Sequence, residues 1–133
     1  MSVIHRFTGT DTDFNWENVL AKEFTNGTSK GASGKIIISA KDNAEYFVFR
    51  YIRIEPGGYS TFNDYHAHDH GVYILHGRAV VTIEGVDYEV GPRDMIYISP
   101  LEHHHLRAVG DEPLGFLCVI PNKEMLKKLY ARA

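Results

Sequence analysis

Val72 to Pro100 reads VYILHGRAVVTIEGVDYEVGPRDMIYISP. Val72–Leu75, Ala79–Glu84 and Met95–Ser99 are short runs of β-branched and aromatic residues. Such side chains suit a pleated, half-buried surface, and the runs are too short for helices. Gly77, Gly85-Val86-Asp87 and Gly91-Pro92 separate them, and Pro100 breaks the last. The Gly85 step reads as a hairpin turn into Tyr88-Glu89-Val90.

The same pattern extends outward. Lys35–Ser39 (KIIIS) and Glu45–Glu55 (EYFVFRYIRIE) precede it, the latter ended by Pro56-Gly57-Gly58, and Leu114–Ile120 (LGFLCVI) is a last apolar strand. Many short strands with turns between them indicate an all-β barrel or sandwich. Asn26–Gly34 (NGTSKGASG) reads as a loop. Phe14–Glu23 (FNWENVLAKE) reads either as a short helix with Trp16 and Leu20 one turn apart, or as an irregular arm packed by Phe14 and Trp16. After Pro121, Asn122 can cap a helix with Met125, Leu126, Leu129 and Tyr130 on its apolar face and Lys123, Lys127 and Lys128 on its wet side. The expected organisation is an arm over 1–34, packed on the barrel or on a dimer partner, a barrel over 35–121 and a helix over 122–133.

The chain has 133 residues, enough for one domain with a single core. Lys+Arg is 14 against Asp+Glu 17, a net charge of −3, which argues against a protein built to grip nucleic acid or anionic lipid. Cys118 is the single cysteine, so an intrachain disulfide is excluded and a reducing, cytoplasmic setting is expected. No apolar run approaches the ~18 to 20 residues of a membrane span, and no signal-peptide pattern is expected at the start. Of eight histidines, seven fall between His66 and His105, which points to a metal or proton-transfer site.

The first histidine cluster is Asp64-Tyr65-His66-Ala67-His68-Asp69-His70. Residues i and i+2 of a strand share a face about 7 Å apart, so two can meet at one ion while a third at i+4 cannot. Only a bend between His66 and His70 would bring His70 back, and Asp69 and Gly71 are acceptable residues for it. The second cluster is His103-His104-His105. A barrel interior would receive either its middle histidine or its outer two. A surface histidine patch or a proton relay is the plainer alternative to a metal site. His5 and His76 read as ordinary structural residues. Arg50 and Arg53 differ in parity, so one of them enters the barrel, where it would suit a substrate carboxylate. Phe47, Phe49 and Tyr51 read as core rather than as ligand contacts.

At these residues the sequence resembles a small single-domain cupin. Glu55-Pro56-Gly57-Gly58-Tyr59 is similar to the entry of the first cupin motif, and Tyr73-Ile74-Leu75-His76-Gly77 to its exit. Gly91-Pro92-Arg93-Asp94 with Met95–Pro100 resembles the second motif, and Gly110–Pro121 the closing strand. The resemblance implies a double-stranded β-helix, the jelly-roll or cupin barrel, with a short N-terminal arm and a C-terminal helix. Aligned back from Gly77 without gaps, it implies metal ligands Asp64, His66 and His70, with His104 from the second motif through Pro100-x3-His104. That set holds the usual three histidines and a carboxylate, with the carboxylate moved to the first position. If the one-residue insertion before the cluster lies elsewhere, His66 and His68 form the pair instead. Residue 108, often Asn in the family, is Ala.

Three imidazoles and a carboxylate suit one divalent transition ion, Mn, Fe, Ni, Zn or Cu. Such an ion can polarise a carbonyl, acidify water or, if redox-active, bind dioxygen. His68 and one of His103 or His105 could shuttle protons, the plainer reading being orientation of ligands or solvation. The resemblance implies a metal-dependent enzyme on a small organic molecule, either dioxygenase-like or an isomerase or cyclase of a carbonyl or sugar-acid substrate. The alternative is a non-catalytic ligand-binding or sensory module. A homodimer is expected, with Ile36–Ile38 and the arm at the interface, and neither nucleic acid nor membrane as partner.

Overall fold

The computed structural model describes residues 2–23 and 28–131. Nine strands form one curled sheet: β1 (Ala21–Glu23), β2 (Lys30–Ile38), β3 (Phe47–Tyr59), β4 (His70–His76), β5 (Arg78–Ile83), β6 (Val86–Val90), β7 (Met95–Ile98), β8 (His104–Val109) and β9 (Leu114–Pro121). The order is β6-β5-β8-β3-β9-β4-β7, with β2 pairing on β3 and β1 on β2, all antiparallel. The fold is the all-β jelly-roll barrel anticipated above, followed by one C-terminal helix, α1 (Lys123–Ala131).

Alternation along the strands gives the barrel two apolar cores. Ile52 and Ile54 of β3, Val72 and Ile74 of β4, Val81 of β5, Leu106 of β8, and Leu114, Phe116 and Cys118 of β9 fill the inside. Tyr51, of opposite parity, is buried on the outer face with Val19 and Ile37, and Phe14, Trp16 and Phe49 pack against them. Phe49 and Tyr51 are therefore core residues, while Phe47 is 42% exposed.

Phe14 to Val19 is not a helix. The arm is irregular, held by bridges between Phe7 and Trp16 and between Thr10 and Asp13. Phe7, Phe14 and Trp16 pack edge to face, Phe14 stacks on Tyr51, and Asn18 adopts a left-handed φ of 61° that breaks any helical path. Asn26 and Gly27 of the expected loop lie outside the described residues. Thr28 and Ser29 are loop as expected, but Lys30–Gly34 belongs to β2, because the long β3 offers it a pairing edge. Glu84-Gly85 is the hairpin turn, both with positive φ as a two-residue turn requires, one residue earlier than the sequence suggests. Asn122 caps α1 as expected, its Oδ1 accepting from the Glu124 amide at 2.8 Å. The side chains of Lys123, Leu129 and Tyr130 lie outside the described residues. No helix among those residues is long and apolar enough to cross a membrane.

Candidate metal centre

His70 opens β4 and His104 opens β8, and both are buried. His66 reaches them from the segment joining β3 to β4. That segment is clamped to β8 by a two-way Asp64–His104 backbone pair of 2.7 and 3.0 Å, and by the Leu101 amide donating to the His66 carbonyl. A bend at Ala67-His68 then returns the chain into β4. The bend required by the i, i+2, i+4 spacing is present, two residues earlier than Asp69 and Gly71 suggested.

Ligand nitrogens of His66, His70 and His104 all lie within 4.8 Å of one another. Each imidazole is anchored through Nδ1. His66 Nδ1 donates to the His68 carbonyl and His104 Nδ1 to the Glu102 carbonyl, both at 2.8 Å. A carbonyl only accepts, so the neutral ring carries its proton on Nδ1 and leaves Nε2 with a free lone pair. His70 Nδ1 lies 3.1 Å from Cys118 Sγ, and His70 Nε2 lies 3.1 Å from His104 Nε2. Two lone pairs cannot face each other at that distance. Either His70 holds its proton on Nε2 and accepts the thiol hydrogen on Nδ1, or a cation lies between the rings and His70 Nδ1 donates to sulfur. The spacing suits an N–H···N bond in the first case and equally suits the second, since two nitrogens bonded to one ion at ~2.1 Å stand roughly 3 Å apart.

The residues present therefore fit a metal ion. Burial, then the positive neighbours His104, His66 and Arg50, push His70 down to about 3, so it stays a neutral Lewis base. Asp64 Oδ2 stands 3.7 Å from His66 Nε2 and 4.0 Å from His104 Nε2. It borders the triad without being one of its mutually close donors. His68 lies outside the triad, its ring stacked on His66 at 3.8 Å and its carbonyl orienting His66.

Of the second cluster, the middle histidine faces inward. His105 is buried on the opposite side, stacked on Phe62 and accepting from the Asn63 amide. His103 is half exposed beside Glu84 and Tyr65. His5 pairs with Asp42, and His76 is hydrogen-bonded beneath the arm. Arg50 is the arginine that enters the barrel, and Arg53 points outward to Glu55 and Asp13. Cys118 is the site residue the sequence reasoning missed. Its parity with Phe116 on β9 was the available signal.

His70 and His104 line a cavity of about 130 Å³ that is also walled by Arg50, Asp64, Val72, Phe116 and Cys118. Its walls are chiefly apolar.

Residues 50–120 match the family model described as a cupin domain. Over 71 residues the chain is 42% identical to 1-methylthio-D-xylulose 5-phosphate methylsulfurylase of Rhodospirillum rubrum, a stretch covering 53% of this chain and 45% of that protein. The chain spans about half the length of the curated relatives it matches. Among solved structures, the polyketide cyclase RemF from Streptomyces resistomycificus superposes with a TM-score of 0.75 at 25% identity, covering 91% of this chain and 79% of that one. A cupin-2 domain protein of Rhodospirillum rubrum superposes with a TM-score of 0.74 at 29% identity, covering 94% and 90%.

Proposed function

The chain belongs to the cupin family, and from that premise we propose that it is a metal-dependent enzyme that acts on a small carbonyl compound by isomerase or cyclase chemistry. The observation that carries this reading is the convergence of ligand nitrogens of His66, His70 and His104, all within 4.8 Å of one another, beside a small cavity lined by His70 and His104. In this reading Asp64 completes the ligand set from its position beside His66 and His104. A bound divalent ion would supply Lewis acidity to a carbonyl oxygen. The chain does the rest. The His68 and Glu102 carbonyls and Cys118 Sγ hold the three rings in place. Val72, Leu106 and Phe116 keep the cavity apolar and limit water. His68, which burial and the neighbouring His66 hold toward the neutral form, stands beside His66 as a proton acceptor.

The similarity to enzymes named for sugar-phosphate and polyketide substrates supports carbonyl chemistry over dioxygen chemistry. The test joins elemental analysis of untagged protein to a panel of ketones, diketones and ketose phosphates in D2O. One equivalent of a transition metal with deuterium entering next to a carbonyl is the expected result. Oxygen uptake would shift the assignment to a dioxygenase. Tight binding without exchange or turnover would make the chain a ligand-binding module.

A further inference from the structure

Arg50 stands inside the barrel without a carboxylate. It shares the inward parity of Ile52 and Ile54, and its Nη2 donates to Cys118 Sγ at 3.1 Å. Its Nε is buried and has no hydrogen-bond partner. Among the described residues, the arginine ion pairs belong to Arg53 and Arg107. Asp64, the acid in the same cavity wall, is turned toward His66 and His104. A guanidinium carries five donors and a permanent charge. Arg50 is half-buried, with its Nε shut off from water, and a guanidinium so placed favours an anionic partner.

Its position indicates where the anion comes from. Arg50 and Ile52 line both the inner cavity and a second cavity of about 470 Å³, whose walls include Ile36, Val48, Ile120 and Asn122. Arg50 thus stands in the wall shared by a small chamber lined by His70 and His104 and a larger, mostly apolar one beside β2, β3 and β9. The inner chamber has room for a head of only a few heavy atoms. A larger ligand that pairs with Arg50 has the outer chamber on the far side of the same side chain.

We propose that Arg50 is the anchor of an anion subsite, and that the ligand is a small organic anion, a carboxylate or phosphate ester. The charged group pairs with the guanidinium fork, the group next to it reaches the imidazoles, and the body lies against Ile36, Val48 and Ile120. This names the substrate class of the site proposed above and rests on that reading. The binding it requires is nevertheless measurable without metal.

The experiment is calorimetric titration of the full chain with malonate and, separately, with inorganic phosphate, on metal-loaded and chelator-stripped protein. The stripped wild type is expected to bind one probe, and which one tells carboxylate from phosphate. Arg50→Gln is expected to weaken that binding at least tenfold while keeping its metal content. His104→Ala is expected to lose metal but keep anion binding. If Arg50→Gln does not fold, Arg50→Lys, which keeps charge but not the fork, is expected to bind at least threefold more weakly. Unchanged binding in the Arg50 variant, or no binding of either probe by wild type, overturns the proposal. Arg50-dependent anion binding in a chain that takes up no metal would leave the subsite standing and sink the metal enzyme.

Discussion

An imidazole ligates only through a nitrogen without a proton, and for His66 and His104 a main-chain carbonyl decides which nitrogen that is. His66→Ala, His70→Ala and His104→Ala are each expected to lower metal affinity by at least an order of magnitude, read by elemental analysis after dialysis. His68→Ala is expected to lose less than tenfold, because its carbonyl belongs to the main chain. A loss equal to that of His66→Ala would make His68 a ligand. Acid titrates the same cluster. Burial and cationic neighbours push His70 from its ordinary 6.5 to about 3, so the unfolded chain takes up the proton first. Metal-stripped protein should hold its full His70 contribution above pH 6.5 and lose it progressively as pH falls toward about 3. His70→Gln should flatten that decline in urea midpoints taken at pH 7, 5 and 4, and an unaltered slope would refute the assignment. The histidine spacing made the cluster legible in the sequence. Which of His103, His104 and His105 faces inward was not legible, since parity means nothing until β8 is known to start at His104, set there by its backbone pair with Asp64.

Strands were readable because β-branched and aromatic runs between glycines admit few other conformations. The arm was not, because its shape comes from contacts distant in sequence. A register shift between Ile74 and His76 breaks the alternation of β4 and turns His76 outward beneath Phe14. There His76 Nδ1 donates to the Pro113 carbonyl, its Nε2 accepts from the Tyr51 hydroxyl at 2.6 Å, and that oxygen accepts from the Phe14 amide. Gly115 makes room for the ring, as a Cβ there would fall 1.9 Å from His76 Nε2. Tyr51→Phe strips His76 of its donor and Phe14 of its acceptor, at an expected cost of about 1–3 kcal/mol. Chemical denaturation with elemental analysis checks this. Lost stability with metal content retained is expected, and a loss of metal would tie the arm to the centre instead.

At the scale of the molecule, the barrel is closed on its inside by the strands and on its outer face by the arm. The arm covers the sheet with Phe14 and Trp16 but leaves its own far side uncovered. Ile4 is 69% exposed and Leu20 87%, with Val3 and Phe7, near Ile4 in sequence, about half exposed. β1 adds an open edge, since among the described residues it pairs with β2 alone. Apolar side chains along an arm that ends in a strand with one open edge suit a self-complementary contact, and a second copy brings the same surface by symmetry. The strand Ile36–Ile38 fits that role less well than the arm does. Ile37 is already buried under the arm of its own chain, and Ile36 lines the outer cavity. The expected species is therefore a homodimer joined through the arms, with twice the chain mass by light scattering at micromolar concentration. Association that stabilises the fold makes thermal stability depend on concentration. The double variant Ile4→Lys with Leu20→Lys should abolish both the doubled mass and that dependence while the metal content persists. Wild type eluting as a monomer across that range, or a variant as dimeric as wild type, would place the contact elsewhere on the molecule or nowhere.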